Sequence, residues 1–293
     1  MGSNRFSQIK RVLIGILVAN WLVALAKLVV GAISHSASLF ADGIHSFADG
    51  ASNVAGLIGI TIAAHPADED HPYGHRKFET LSAQAIAVML LLACYEILRS
   101  AVQRVSGNEI PEINWVSFAV MGVTIVVNTV VTIYEQRQGK RLQSDLLLAD
   151  ALHTRTDILV SLSVIGSLIA AKAGIPHIDS IIAIGIALYI AGNAVWMLWQ
   201  TSDVLADKIV LDVKEIERVV MEIPGVKACH EIRNRGRRDD IHIDLHVLVD
   251  DQLSVEEAHH KSFLIEEKLK TRFPGVTDVI VHIEPLSHRH ELP

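Results

Sequence analysis

The chain has 293 residues, of which 50% are hydrophobic, 5% aromatic and 20% charged, with a net charge of −7 and a mean hydropathy of +0.35. This balance excludes a disordered chain and an ordinary soluble enzyme, and the acidic charge gives no reason to expect a nucleic-acid partner. Two cysteines, Cys94 and Cys229, exclude a disulfide scaffold and any Cys-rich zinc or iron–sulfur site.

Six apolar segments follow in chain order: Val12–Ile33, Ser38–Ala64, Leu81–Val102, Trp115–Tyr134, Leu146–Lys172 and Ile178–Leu198. Each reaches the roughly 20 residues that a hydrocarbon core of about 30 Å requires. With no water to satisfy their backbone groups, they are expected to be helices. The first is too long for a signal-peptide core and reads as a retained anchor. Arg5, Lys10 and Arg11 precede the first span, Arg76 and Lys77 lie between spans two and three, and Arg137, Lys140 and Arg141 lie between spans four and five. The other side has only Arg104 and Lys172, at its margins, so the positive-inside rule predicts that both termini are cytoplasmic.

The charge density then changes. Residues 1–206 hold 28 charged side chains and residues 207–293 hold 31, in less than half the length. The expected division is a six-helix membrane domain over 1–206 and a cytoplasmic domain over 207–293. In the tail, Val213, Ile216, Val219, Val220 and Ile223 have helical spacing, ended by Pro224-Gly225. Lys227–Asn234 reads as a strand, Arg235–Asp240 as a polar turn, and Ile241–Val249 as a strand with one buried face. Ser254 with Glu257 forms a capping box that opens a helix running to about Phe273, and Thr277–Glu284 is a final strand. The order α-β-β-α-β implies a small α+β sandwich with its helices on one sheet face.

Ionisable residues inside the spans carry the functional signal. Span two contains His45 and Asp49, and span five contains His153 and Asp157. Both pairs are His-x-x-x-Asp, a spacing that advances a helix by about 6 Å and rotates it by about 400°, so each pair shares one face. Brought together, the two faces offer two imidazoles and two carboxylates, a donor set suited to a tetrahedral divalent metal. A carboxylate at mid-membrane costs about 2.5–3.5 kcal/mol on insertion scales, which helix packing alone does not offset. Asp42 and Asp150, seven residues before Asp49 and Asp157, are either steps on a path to this site or interfacial residues. Lys27, Asn20, Asn53 and Asn128 read as hydrogen-bonding groups between helices.

Two further clusters lie outside the spans. The loop Asp68–His75 has carboxylates and two histidines within eight residues, a candidate auxiliary metal site. In the tail, His242, Asp244 and His246 fall on the outward face of one strand, with His230 on its neighbour, His259 on the second helix, and His282 and Glu284 on the last strand. Their convergence on one small sheet suggests a site of nitrogen and oxygen ligands.

The segments SLFADGIHSFADG, PADEDHPYGHRKFETL, ADALHTRTDIL and GVKACHEIRNR, in this order, resemble the cation diffusion facilitator family over nearly the whole chain. The resemblance implies a homodimeric six-helix transporter of the cell inner (plasma) membrane with a metallochaperone-like cytoplasmic domain. It would be a secondary active transporter of the bacterial zinc/proton antiporter type, not an enzyme. By motif, His45, Asp49, His153 and Asp157 match the family's transport site, and Asp68, His71 and His75 match its loop site. His230, His246, His259, His282 and Glu284 match its cytoplasmic metal cluster, and Lys77 with Asp207 matches a charge interlock at the dimer contact. Position 45 is His where many bacterial members have Asp, as in the zinc-selective branch, and position 284 is Glu where Asp is common. The long His-rich loop of eukaryotic members between spans four and five is missing, as in prokaryotic members.

Imidazole binds metal only when neutral and carboxylate only when ionised, so metal affinity falls with pH. A site loaded at the cytoplasmic face and opened to a more acidic exterior would release metal and take up protons. Imidazole favours Zn²⁺, with Cd²⁺, Co²⁺ or Ni²⁺ as alternatives, over Mg²⁺ or Ca²⁺. Zn²⁺ is then the substrate and also a structural or regulatory ion in the tail, with protons as the counter-substrate. The main alternative is an iron or manganese exporter of the same family. A non-transporting metal sensor would not need the paired membrane motifs, and a membrane di-iron oxidase would need more histidine boxes. No phosphate-binding Gly-rich loop or Ser-His-Asp set is present, so ATP use and hydrolysis are not expected.

Overall fold

The computed structural model of the chain describes residues 2–33, 37–106, 115–172 and 178–287. Six long helices come first: α1 (Gly2–Ile33), α2 (Ala37–Ala63), α3 (Lys77–Ser106), α4 (Trp115–Arg141), α5 (Asp145–Lys172) and α6 (Ile178–Leu205). A short helix α7 (Val213–Met221), strands β1 (Ala228–Arg237) and β2 (Asp240–Val249), helix α8 (Val255–Arg272) and strand β3 (Val276–Pro285) follow. The chain divides into two compact units, Met1–Thr201 and Ser202–Pro293.

In the first unit α1 packs on α2, α4 on α5, and α3 against both α2 and α5. Ile9, Leu13, Ile60, Ile86, Leu146 and Leu147 are fully buried between them. Leu22, Leu92, Val126 and Trp199 point outward and are exposed. Bare apolar surface on this scale is costly in water and is what lipid solvates. Among the described residues, Asn4–Ile33, Lys77–Arg99 and Ala119–Arg141 are long and apolar enough to cross a membrane. The described stretches of α2, α5 and α6 fall short of that length and apolarity. As expected, polar groups bond between helices: Asn20 donates to Asn53 at 3.0 Å and Lys27 to Ser46 at 2.8 Å.

The helices overrun the apolar spans at their charged ends. Arg5, Lys10 and Arg11 lie within α1, and Arg137, Lys140 and Arg141 form the end of α4 rather than a connecting loop. Lys and Arg are good helix formers, and at a C-terminus they face the negative end of the helix dipole. Three residues, 142–144, then suffice to reach α5. One end of the bundle is clasped by Arg5. Its guanidinium donates to both oxygens of the fully buried Glu79 (2.9 and 3.2 Å) and to the carbonyls of Leu142 and Gln143 (2.8 and 2.9 Å). The Ser144 hydroxyl donates to Glu79 at 2.6 Å.

The second unit is a three-stranded sheet of order β1-β2-β3 covered by α7 and α8. β1 and β2 are antiparallel, whereas β2 and β3 are parallel, with α8 as the crossover. Along β2, Ile241, Ile243, Leu245 and Val247 are buried and His242, Asp244 and His246 half-buried, the expected alternation. Ile216, Val220, Ile265 and Leu269 from the two helices close on the buried face. Each fully buried aliphatic side chain contributes about 1.5–3 kcal/mol. Ser254 caps α8 in the expected box with Glu257. The turn between β1 and β2 is shorter than its polarity suggested: β1 runs to Arg237, leaving only Arg238 and Asp239 in the turn. Gly236 allows this, with φ at 111° and a virtual Cβ that would fall 2.2 Å from the Asp240 carbonyl oxygen.

Candidate metal centres

The sheet builds the clearest donor group. Strand register sets His230 opposite His246, and His246 opposite His282, giving a row of three imidazoles across the strands. The His230 and His246 rings are 5.4 Å apart, and those of His246 and His282 are 4.7 Å apart. Glu284, two residues beyond His282, shares its face. Its carboxylate accepts from His246 Nδ1 at 2.8 Å and His230 Nε2 at 3.2 Å, and lies 3.5 Å from His282 Nε2. One ligand atom each from His230, His246 and Glu284 lies within 4.8 Å of the others, a spacing that one ion can bridge. Burial acts to raise the Glu284 pKa, but the His246 hydrogen bond and the charges of His246, His230 and His282 together hold it below the usual value. The carboxylate is therefore ionised and ready to bind a cation near neutral pH.

The loop between α2 and α3 builds the second group. Asp68, His71 and His75 bring their ligand atoms within 4.8 Å of one another. The His71 backbone N–H donates to Asp68 Oδ1 at 2.7 Å, which is the main reason its pKa lies below the usual carboxylate value. His75 Nδ1 donates to the Pro66 carbonyl at 3.1 Å, leaving Nε2 to face Asp68 Oδ2 at 3.3 Å. A backbone carbonyl that fixes the tautomer in this way is the usual outer support of a metal-binding histidine. Gly74 turns the loop with φ at 82°.

In the membrane unit, α5 carries Asp150, His153 and Asp157 at positions i, i+3 and i+7, along one face. His153 is 9% exposed and, among the described residues, neither ring nitrogen has a hydrogen-bond partner. Such orphaned buried groups are rare in folded proteins and mark a strained site or the place of a water or ion. The partners expected for it, His45 and Asp49, lie on α2, but their side chains fall outside the described residues, as does that of Asp42. Asp150 Oδ2 accepts from Asn53, which itself accepts from Asn20, so a polar relay runs through α1, α2 and α5.

Other expected residues are not gathered in this way. His259 is exposed on α8 and is not part of a three-ligand group among the described residues. Its helix packs with the isoleucine face of the sheet, whereas the histidine row lies on the other. Asp207 lies 3.3 Å from Arg235 within the second unit, and Lys77 belongs to the first. Two carboxylates near these centres were not singled out from sequence. Glu231 sits in a β-bulge with φ at 49° and places its oxygen 3.6 Å from His246 Nε2. Glu135, at the charged end of α4, is fully buried beside Asp150 and Asp157.

An apolar helical bundle with ionisable groups in its interior, joined to a small sheet that presents imidazoles and carboxylates, defines an integral membrane protein that handles metal cations. Comparison with known proteins narrows this class. The cation efflux transmembrane domain matches residues 13–206, and the cation efflux protein cytoplasmic domain matches residues 210–286. A protein described as an uncharacterized transporter in Methanocaldococcus jannaschii is 34% identical over 94% of this chain and 98% of its own length. The manganese efflux system protein MneS of Bacillus subtilis is 30% identical over 97% of this chain and 99% of its own. The cation-efflux pump FieF of Pectobacterium atrosepticum is 29% identical over 86% of this chain and 84% of its own. The chain belongs to the cation efflux, or cation diffusion facilitator, family. It is a divalent-cation efflux transporter of the membrane with a C-terminal cytoplasmic domain, and not an enzyme.

Proposed function

We propose that the chain exports Zn²⁺ from the cytoplasm in exchange for protons, by alternating access at a site formed by His45, Asp49, His153 and Asp157. The observation that carries this reading is the unpartnered, buried imidazole of His153 one turn before Asp157. Neutral imidazole favours Zn²⁺ over hard dications, and protonation of imidazole links metal release to proton uptake. Residues 1–206 form the transport domain and residues 207–293 the metal-sensing, dimerising domain of a homodimer. The protein lies in the inner (plasma) membrane with both termini cytoplasmic. The Arg5 clasp supports part of this topology, because it ties the N-terminal end of α1, the start of α3 and the α4–α5 connection to one end of the bundle.

Asp68, His71 and His75 serve as an auxiliary site. His230, His246, His282 and Glu284 bind a regulatory ion, and His259 adds to it only from a second copy of the chain. Lys77 and Asp207 form the charge interlock at the dimer contact. A manganese or iron exporter is the competing reading, favoured by the description of MneS and by the carboxylates Asp150 and Glu135 around His153.

Proteoliposomes with an imposed pH gradient separate the two. The expected result is Zn²⁺ uptake that follows the gradient and disappears in Asp157→Ala. Uptake of Mn²⁺ in preference to Zn²⁺ at equal concentrations would replace zinc by the competing substrate, and gradient-independent uptake would remove the antiport. His45→Asp should broaden uptake toward Cd²⁺.

A further inference from the structure

Glu135 is fully buried in α4 and, among the described residues, neither of its carboxylate oxygens has a donor in hydrogen-bond geometry. It faces Asp150 of α5, also fully buried, whose Oδ1 is likewise unpartnered. The remaining polar groups around the pair are Thr154, Asp157 and His153 of α5 and Asn53 and Ser52 of α2. Among the described residues, no lysine or arginine pairs with either carboxylate. Two adjacent carboxylates inside a bundle are therefore left with three oxygens that, among the described residues, have only each other and the Thr154 hydroxyl close by. One shared proton would join two of these oxygens and leave the third, with one negative charge, uncompensated. A dication would neutralise both carboxylates.

We propose that Glu135 and Asp150 form a second divalent-cation subsite in the membrane unit, one helical turn from His153. It rests on the reading of α5 as part of the transport path. Asp150 precedes His153 by three residues, about 4.5 Å of helix rise. An all-oxygen pair suits a partly hydrated dication, and the imidazole of His153 suits the same ion after it sheds water. The subsite thus holds the transported ion at the step next to His153. Asn53 steadies it by donating to Asp150 Oδ2, so that Oδ1 is turned to the ion.

Equilibrium dialysis of the full chain in nanodiscs against Zn²⁺ near pH 7 tests this directly. The isosteric variants Glu135→Gln and Asp150→Asn should each bind one ion fewer per protomer, or hold it at least about tenfold more weakly. Glu135→Asp, which keeps the charge, should restore the count. Asp157→Ala should lose a different ion, so the double variant Asp157→Ala/Glu135→Gln should lose both. An unchanged count and affinity in Glu135→Gln and Asp150→Asn would overturn the subsite. A change in proton release alone, with the metal count intact, would overturn it too and leave a shared proton. Absence of Zn²⁺ flux in the wild type would defeat the transport reading without altering this count.

Discussion

The two units present their candidate cation ligands in opposite ways. In the sheet, His230 and His246 are half-buried and His282 is exposed, with Glu284 already hydrogen-bonded between His230 and His246. Empty, this group is mostly satisfied: Glu284 accepts from His230 Nε2 and His246 Nδ1, and His230 Nδ1 alone in the group is a buried atom without a partner among the described residues. In the helical unit, His153, Glu135 and Asp150 are buried with five nitrogen and oxygen atoms unpartnered. Empty, this group is costly, since each such atom forfeits about 1–3 kcal/mol. A mostly satisfied site can bind or release an ion with little change to its fold. An unsatisfied one gains stability on occupation, which suits the transport role proposed for it.

The sharpest break in this contrast is Asp157→Ala. Zn²⁺ flux into proteoliposomes should fall to the liposome background, while Zn²⁺ binding at the sheet, read by dialysis of the full chain, stays at wild-type affinity. His246→Ala should do the reverse. It should weaken the sheet ion by about 10–100-fold and leave residual flux measurable. Loss of all flux in His246→Ala would mean that the sheet ion is required for transport rather than separable from it.

The sheet's alternation, its element order and the Ser254 capping box were all legible in the sequence, because period-2 and capping signals are local. The histidine row was legible only as a convergence, since the register that aligns His230, His246 and His282 depends on pairing between strands distant in the chain. Glu135 escaped notice for a different reason. It follows Tyr134 at the charged end of an apolar run and reads as the beginning of a solvated loop. Only the continuation of α4 to Arg141, packed on α5, carries it inside. The Arg5–Glu79 pair spans 74 residues and has no sequence signature.

Smaller effects test the sheet by itself. Gly236→Ala places a side chain at φ 111° and against the Asp240 carbonyl, so it should destabilise the second unit by about 1–3 kcal/mol, read as a lower denaturant midpoint. His242 has its pKa raised chiefly by its hydrogen bond to Asp240, and also by Asp278. A raised pKa in the folded state gives stability that is complete below the reference value of 6.5 and lost as pH rises through the folded value. His242→Gln should therefore lower thermal stability at pH 6 and leave it unchanged at pH 9. The opposite sign holds for Glu284, whose lowered pKa gives stability present above 4.5 and lost on acidification. Glu284→Gln should flatten the acid limb of the unfolding curve.

The alignment of His230, His246 and His282 across three strands has one more consequence. Side chains alternate faces along a strand, so sliding β2 by a single position against either neighbour would turn His246 toward the isoleucines and scatter the trio. An ion captured there rewards one pairing and penalises every slipped alternative. A metal bound there would thereby proofread assembly, selecting the correctly zipped sheet.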